Sequence, residues 1–449
     1  MQDSRPLLRI LGLGFGLALA FGSTVGVGIL RLPGTVAAAL GDPTLIMLAW
    51  IIGGLYALMG AVAVAELAAM IPKVGGFRVY ARRAYGEGVG FAVGWVDWLC
   101  TVAALAYTSI TVVVFLGVLW PPATLHPRAA AIAIFALFTG IHWAGLRLGS
   151  TLTAIISTAI GILFAVLITA CFLAEPAAAS VIPLTTTPGS LPLLSMAMLF
   201  AVVPALRAVL TAYDGWYGPI YMAEENTDPA RTLPRAIIGG ALLVMLLYLI
   251  FNFAILRVLP LPVLAASVLP AADAARIVLP QGGAELVTVI SVLTLLSGLN
   301  NVLLMAPRVL LGIGRDGLLT EKAATISNGG TPRGALVFSS VAVVLVILSG
   351  SFEQIIALFA VLFLVLYVSA FLAVFVLRRR EPALSRPYKT FGYPFTTAIV
   401  LAGSVVFLTV AILEDPRSAL IAAGFIAGCV PAYAWMARSR RLRIAINAA

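Results

Sequence analysis

The chain has 449 residues, 62% of them hydrophobic and only 10% charged, with a mean hydropathy of +1.09. A soluble protein is usually about one quarter charged, and 28 basic plus 18 acidic side chains cannot clothe a water-soluble fold of this length. This excludes a soluble globular protein, and the net charge of +10 is therefore tested first as a topology signal before any nucleic-acid partner is invoked.

A helical span takes about 20 apolar residues. The chain offers 12 candidate segments, at about 7–40, 43–70, 88–119, 129–146, 149–173, 194–224, 235–259, 285–313, 334–350, 354–377, 394–413 and 418–437. LLVMLLYLIFNFAIL at 242–256 is apolar all round, whereas a barrel strand alternates, so the spans are predicted as helices. The loops between them are too short for a soluble domain. Arg5 and Arg9 ahead of an apolar run with Ala18-Leu19-Ala20 imitate a secretory leader, but the apolar character continues, which predicts an uncleaved first span.

With the N-terminus inside, the outer loops hold Arg128, Arg257, Arg276 and Arg417, and Arg31 and Arg207 lie within spans. The other basic residues then face the cytoplasm, among them Lys73, Arg78, Arg82, Arg83, the run from Arg378 to Arg380 and the run from Arg438 to Arg443. Both termini are expected on the cytoplasmic side of a cell membrane, inner or plasma. Cys100, Cys171 and Cys429 lie far apart in apolar runs and make neither a disulfide framework nor a metal site.

Two spans are interrupted. The first contains FGSTVGVGILRLPG, with Gly22, Gly26 and Gly28 at its middle, and no Gly-Lys-Ser/Thr follows to make a phosphate loop. The sixth contains LTAYDGWYGPIYMAEE, where Asp214-Gly215 and Gly218-Pro219 should unwind the helix. Irregular backbone at membrane depth is tolerated only inside protein or beside a cavity. Matching interruptions five spans apart are the pattern of two five-helix inverted repeats meeting at a midplane site, about 7–173 and 194–377.

A broken helix exposes N–H groups where its second half starts and C=O groups where its first half ends. The N–H groups of Val27, Gly28 and Ile29, following Gly26, suit a carboxylate. The carbonyls of Thr211, Ala212 and Tyr213, with those near Ser23 and Thr24, suit an ammonium. An α-amino acid carries both groups. Asp214 is either a substrate-ammonium or proton site or a helix cap for the segment from Gly215 onward. Arg207 could pair with Asp214 or with substrate, and Arg31 could reach back to the break; a gating ion pair is the expected role of both, ahead of substrate contact. Glu66 is expected as an inner-gate or packing carboxylate, Asp97 as a solvated one. Trp216 and Tyr213 flank the break and are expected either to occlude the substrate by stacking on its side chain or to pack against neighbouring helices, and Tyr107, Asn300 and Asn301 are expected to serve interhelical hydrogen bonding. His126 and His142 read as neither a ligand pair nor a proton relay.

Collinear motifs then resemble the amino acid, polyamine and organocation (APC) superfamily of secondary transporters: GSTVGVGIL, residues 53–86, residues 212–237, RVLLGIGRDGLL at 308–319 and RRREPALSRPYK at 378–389. The resemblance implies an all-α fold of 12 transmembrane helices, with a ten-helix core over 1–380 and a linker with two accessory helices over 381–449. It also implies alternating access around a substrate at the breaks. Val27 stands where relatives commonly have Ser, Thr211 where many have an aromatic gate, and about Ile160 where some proton-coupled members have Lys. The expected function is secondary transport of L-amino acids, neutral ones first and basic amino acids or polyamines second. The coupling partner is open between proton, sodium and an exchanged amino acid. No cofactor, metal or nucleic acid is expected. An embedded enzyme would need clustered His, Cys or carboxylates that the spans lack, and a sensor would be expected to carry a cytoplasmic domain.

Overall fold

The computed structural model describes residues 6–176, 196–350 and 352–448, and it is 82% helical with no strand among the described residues. The helices are α1 Leu13–Thr24, α2 Val27–Leu40, α3 Pro43–Met70, α4 Phe77–Tyr85, α5 Glu87–Leu119, α6 Pro127–Ala144, α7 Leu146–Leu173, α8 Met196–Ala212 and α9 Pro229–Val258. After these come α10 Leu261–Ala266, α11 Pro270–Val278, α12 Gly283–Arg315, α13 Glu321–Ala324, α14 Arg333–Ser349, α15 Phe352–Arg380, α16 Phe395–Glu414 and α17 Pro416–Ala448. Each of the 12 segments named above coincides with helix, although the start of the sixth, at 194, lies outside the described residues. Nine described helices are long and apolar enough to cross a membrane, or ten if α1 and α2 form one bent span. The apolar part of α8 and the whole of α14 are shorter. The chain is an integral membrane protein.

Local signals set the helix ends. The Asp42 carboxylate accepts the Leu45 N–H at 2.9 Å to start α3, with Pro43 in its first turn. Gly41 ends α2 in the left-handed region at φ 62°. Helices α1 and α3 carry no polar stripe, as befits helices surrounded by other helices and lipid. By contrast α4 is amphipathic, burying Phe77, Tyr80, Ala81 and Ala84 while Arg83 stays on its outer face.

Helix α1 packs against α7, α9 and α12, and α2 packs against α8, α10 and α11. Helix α12, with 67% of its apolar window buried, is the most enclosed span and lies along α5. One end of the bundle carries α4, the turn after α12 and the arginines that end α15. Arg257 and Arg276 sit at the opposite end, with α10 and α11.

Arg308, counted with the basic residues that face the cytoplasm although it falls within the 285–313 span, lies inside α12 at 3% exposure, where it donates from Nε and Nη2 to the fully buried Glu225 carboxylate, both at 2.6 Å.

Candidate functional site

The two interruptions meet. Helix α1 ends at Thr24, α2 begins at Val27 after an extended Gly26, and the axis bends by 45°. No side chain caps α2, so its first N–H groups keep their positive end free of a protein anion. Helix α8 ends at Ala212 and turns through Tyr213–Tyr217. A 3₁₀ helix, Gly218–Glu225, follows. Gly215 has φ +124°, and a Cβ there would stand 2.3 Å from the Ser23 carbonyl oxygen. A Cβ on Gly28 would lie 3.6 Å from the Ala212 Cα. Both breaks therefore touch through backbone at a depth where only glycine allows the approach at Gly215.

The side chains around this crossing are mixed in their satisfaction. The Thr24 hydroxyl bonds back to Ala20 at 2.8 Å, while the Ser23 Oγ is buried without a hydrogen-bond partner. Val27, Gly28 and Asp214 are partly exposed, and Arg31, Thr35 and Thr211 are exposed. Gly28, Arg31 and Thr35 mark one face of α2, which runs from the crossing toward α10 and α11.

The structure corrects several expectations here. The Tyr248 hydroxyl of α9, fully buried, reaches both the Thr24 carbonyl at 3.0 Å and the Ala212 carbonyl at 3.1 Å. The Thr211 carbonyl takes the Asp214 N–H at 3.4 Å. Three of the carbonyls assigned to an ammonium thus already have protein donors, and each retains one lone pair. Asp214 does not cap the following helix, which begins after Tyr217 with no side-chain cap; its carboxylate accepts from the Tyr367 hydroxyl of α15. Arg207 does not pair with Asp214, because its guanidinium reaches Glu414 at the end of α16 on the protein surface. Arg31 forms no ion pair among the described residues. Tyr213 donates to the Trp50 carbonyl at 3.2 Å and packs on Trp50 and Tyr248, and Trp216 stacks on Tyr367 with ring centres 5.8 Å apart. Asp97 is not solvated; it is 1% exposed, with Oδ1 accepting the Tyr221 hydroxyl at 2.7 Å.

The arginine-rich end is sealed by charge. Glu66, 1% exposed, accepts from Arg378 Nη2 at 2.5 Å and from the Thr390 N–H at 2.7 Å. Arg315 pairs with Glu224 at 2.5 Å, and Asp316 holds both Arg78 and Arg82. Burial lowers the Arg78 guanidinium from its ordinary value to about 10. On the surface, Arg83 donates to Glu381 at 2.8 Å; this pair raises the pKa of Arg83 and lowers that of Glu381. The N–H groups of Ile10 and Leu11 also join the Glu225 carbonyl, tying the start of α1 to the end of the 3₁₀ helix.

Sequence reasoning missed Tyr248, Tyr367 and the Glu225–Arg308 pair. The pair had a signal, two acidic residues after a break and an arginine inside an apolar run. The tyrosines had none, since a lone Tyr in an apolar helix reads as packing.

A family model described as amino acid permease matches residues 16–432. The serine/threonine exchanger SteT of Bacillus subtilis is 28% identical over 440 residues, covering 93% of this chain and 94% of its own length. The b(0,+)-type amino acid transporter 1 of Mus musculus is 26% identical, over 91% of this chain and 84% of its own length, and the human protein of that name is 26% identical over 93% and 86%.

Proposed function

The chain belongs to the amino acid permease family, and from that premise we propose that it carries L-amino acids across the membrane by alternating access, binding them where the two broken helices cross. The observation that carries this reading is the uncapped start of α2 lying against the end of α8, with the unsatisfied Ser23 Oγ beside it. The Val27, Gly28 and Ile29 N–H groups take the substrate carboxylate, and the Ser23 carbonyl with the free lone pairs at Thr24, Ala212 and Tyr213 takes the ammonium. Neutral side chains fit the apolar walls that Val27, Ala212 and Trp216 supply.

In the same reading the arginine-rich end is cytoplasmic, both termini lie there, and the membrane is the inner or plasma membrane. Residues 1–380 form two inverted five-helix repeats, and 381–449 add a linker and two accessory helices, which gives 12 spans. Glu66 belongs to the cytoplasmic gate.

One observation favours a second substrate class, basic amino acids or polyamines: Asp214 is partly exposed beside the crossing and has no cation on it. Purified protein in liposomes preloaded with each amino acid in turn tests both. Counterflow of neutral amino acids is expected, and transport of none from a full panel refutes the reading. Loss of cationic uptake alone in Asp214→Asn selects the second class.

A further inference from the structure

Helix α17 packs along α5, and an open groove of about 410 Å³ runs between them. Phe91 and Trp95 line it from α5, and Ile421 and Met436 from α17, with no charged side chain among its walls. Gly424 and Gly428 lie between those α17 residues, and a Cβ on either would meet nothing within 4 Å, so no part of the described chain fills this space. From Ile421 to Met436 the groove follows α17 for about 22 Å at 1.5 Å per residue, more than half of a hydrocarbon core about 30 Å thick. Only 11% of the apolar window of α17 is buried, so this flank of the bundle faces lipid.

The groove ends in positive charge. Glu87 lies one turn before Phe91 on α5, Arg440 lies one turn past Met436 on α17, and the two meet at 3.5 Å. Glu87 also takes Arg82, at 3.0 Å. Arg438 is exposed and forms no ion pair among the described residues, and positions 438–443 hold four arginines and no acid. Tyr433 packs on Phe91 with ring centres 5.8 Å apart and Trp435 is 69% exposed, aromatic residues at the level where a span leaves hydrocarbon for head groups.

An apolar groove open to lipid, with arginine at its end, complements both parts of an anionic phospholipid. A zwitterionic lipid would bring its own ammonium to the arginines, and a soluble anion would leave the apolar length uncovered. A second copy in the same membrane has the same orientation, so pairing through this groove would set two arginine runs side by side.

We propose that the α5–α17 groove binds one anionic phospholipid from the leaflet at the arginine-rich end. An acyl chain lies over Gly424 and Gly428, and Arg438 and Arg440 hold the phosphate. Arg440 gives up only its long contact with Glu87, which keeps the closer Arg82. Binding at this flank is separate from the helix crossing and is measured without any transport.

The test uses the full-length protein in nanodiscs of phosphatidylcholine carrying a minor fraction of phosphatidylglycerol, with one or the other lipid brominated on its acyl chains. Bromine quenches indole fluorescence on contact, and the difference between the wild type and Trp95→Phe reads Trp95 alone. Each basic residue near an anionic head group is worth about a fivefold factor, so Trp95 is expected to prefer brominated phosphatidylglycerol over brominated phosphatidylcholine by about thirtyfold. Arg438→Gln combined with Arg440→Gln is expected to remove that preference. Gly428→Leu, with free space at its Cβ, is expected to fold as the wild type does and to shield Trp95 from both lipids. Equal quenching by the two lipids in the wild type overturns the proposal without reference to any variant, since it reports bulk lipid alone. A preference that survives Gly428→Leu places the head group elsewhere and overturns the groove. Relief of quenching by excess glycerol phosphate would mark a soluble-anion site, and a dimer that Gly428→Leu converts to monomer would mark a second copy; either result overturns the lipid.

Discussion

The Tyr248 hydroxyl is the point where the two broken helices can be probed without touching either. Its ring packs edge-on to Trp50 at 5.8 Å and against Tyr213 at 5.0 Å, and Tyr248→Phe keeps those contacts. What is lost is the donor shared by the Thr24 and Ala212 carbonyls. Leaving a buried acceptor unsatisfied costs about 1–3 kcal/mol, while side-chain hydrogen bonds inside membrane proteins average about 0.6 and reach about 1.7. Two orphaned carbonyls place the expected loss near the top of the second range, about 1.5 kcal/mol, or roughly a tenfold change in an equilibrium. Thermal unfolding in detergent should show it as a fall of a few degrees. Saturating amino acid should recover more stability in the variant than in the wild type, because the substrate ammonium then meets acceptors with nothing else to bind. An unchanged melting temperature without substrate, or equal ligand protection in both proteins, would refute the placement of the ammonium at these carbonyls.

Gly215→Ala should abolish uptake and depress folded yield, since both its φ of +124° and the 2.3 Å approach to Ser23 forbid a methyl group. Gly28→Ala meets only ordinary contacts and should fold normally, with uptake lowered; fluorescence-detected size exclusion beside counterflow separates the two. Arg308→Gln leaves Glu225 buried and uncompensated, an expected loss of about 3–5 kcal/mol, and pairing it with Glu225→Gln should recover much of that; a double variant no more stable than the single would contradict it. Glu381→Gln should cost under about 1 kcal/mol because the Arg83 pair is largely solvated. Arg83 lowers the Glu381 carboxyl, so the pair's contribution is present above the ordinary carboxylate pKa and fades only as pH falls below about 4. Melting temperatures at pH 6 and 8 should therefore differ equally little in the wild type and in Glu381→Gln.

Spans and breaks were legible because each rests on local composition. Twenty apolar residues identify a helix in lipid, and Gly26, Gly28, Asp214-Gly215 and Gly218-Pro219 interrupt it wherever the rest of the chain lies. Side-chain pairing was not legible, because it depends on which helices become neighbours. Arg207 meets Glu414 only because α8 lies near the end of α16, and Glu66 is held by Arg378 and Thr390 from more than 300 positions away. Asp97 was misread for the same reason. Ten residues into a span near a basic loop it looks solvated, and only the packing of α4 and the 3₁₀ helix over it removes the water.

The two ends of the bundle close with different chemistry, and this bears on how alternating access would work. At the opposite end, α2 meets α10 through backbone, a Gly34 Cβ position lying 2.5 Å from the Ser267 carbonyl. At the arginine-rich end the contacts are ion pairs, running from the buried Arg78–Asp316 to the solvated Arg83–Glu381. Separating an exposed pair loses about 0–1 kcal/mol, since each ion is rehydrated as its partner leaves. The Glu225–Arg308 pair follows the same logic at larger amplitude: its attraction and its desolvation nearly cancel, so opening that wets both ions together is close to neutral. An apolar seal of similar extent would lose about 25 cal/mol for every Å² exposed and would hold one state. A charged seal is therefore the one a transporter can open and close at small net cost.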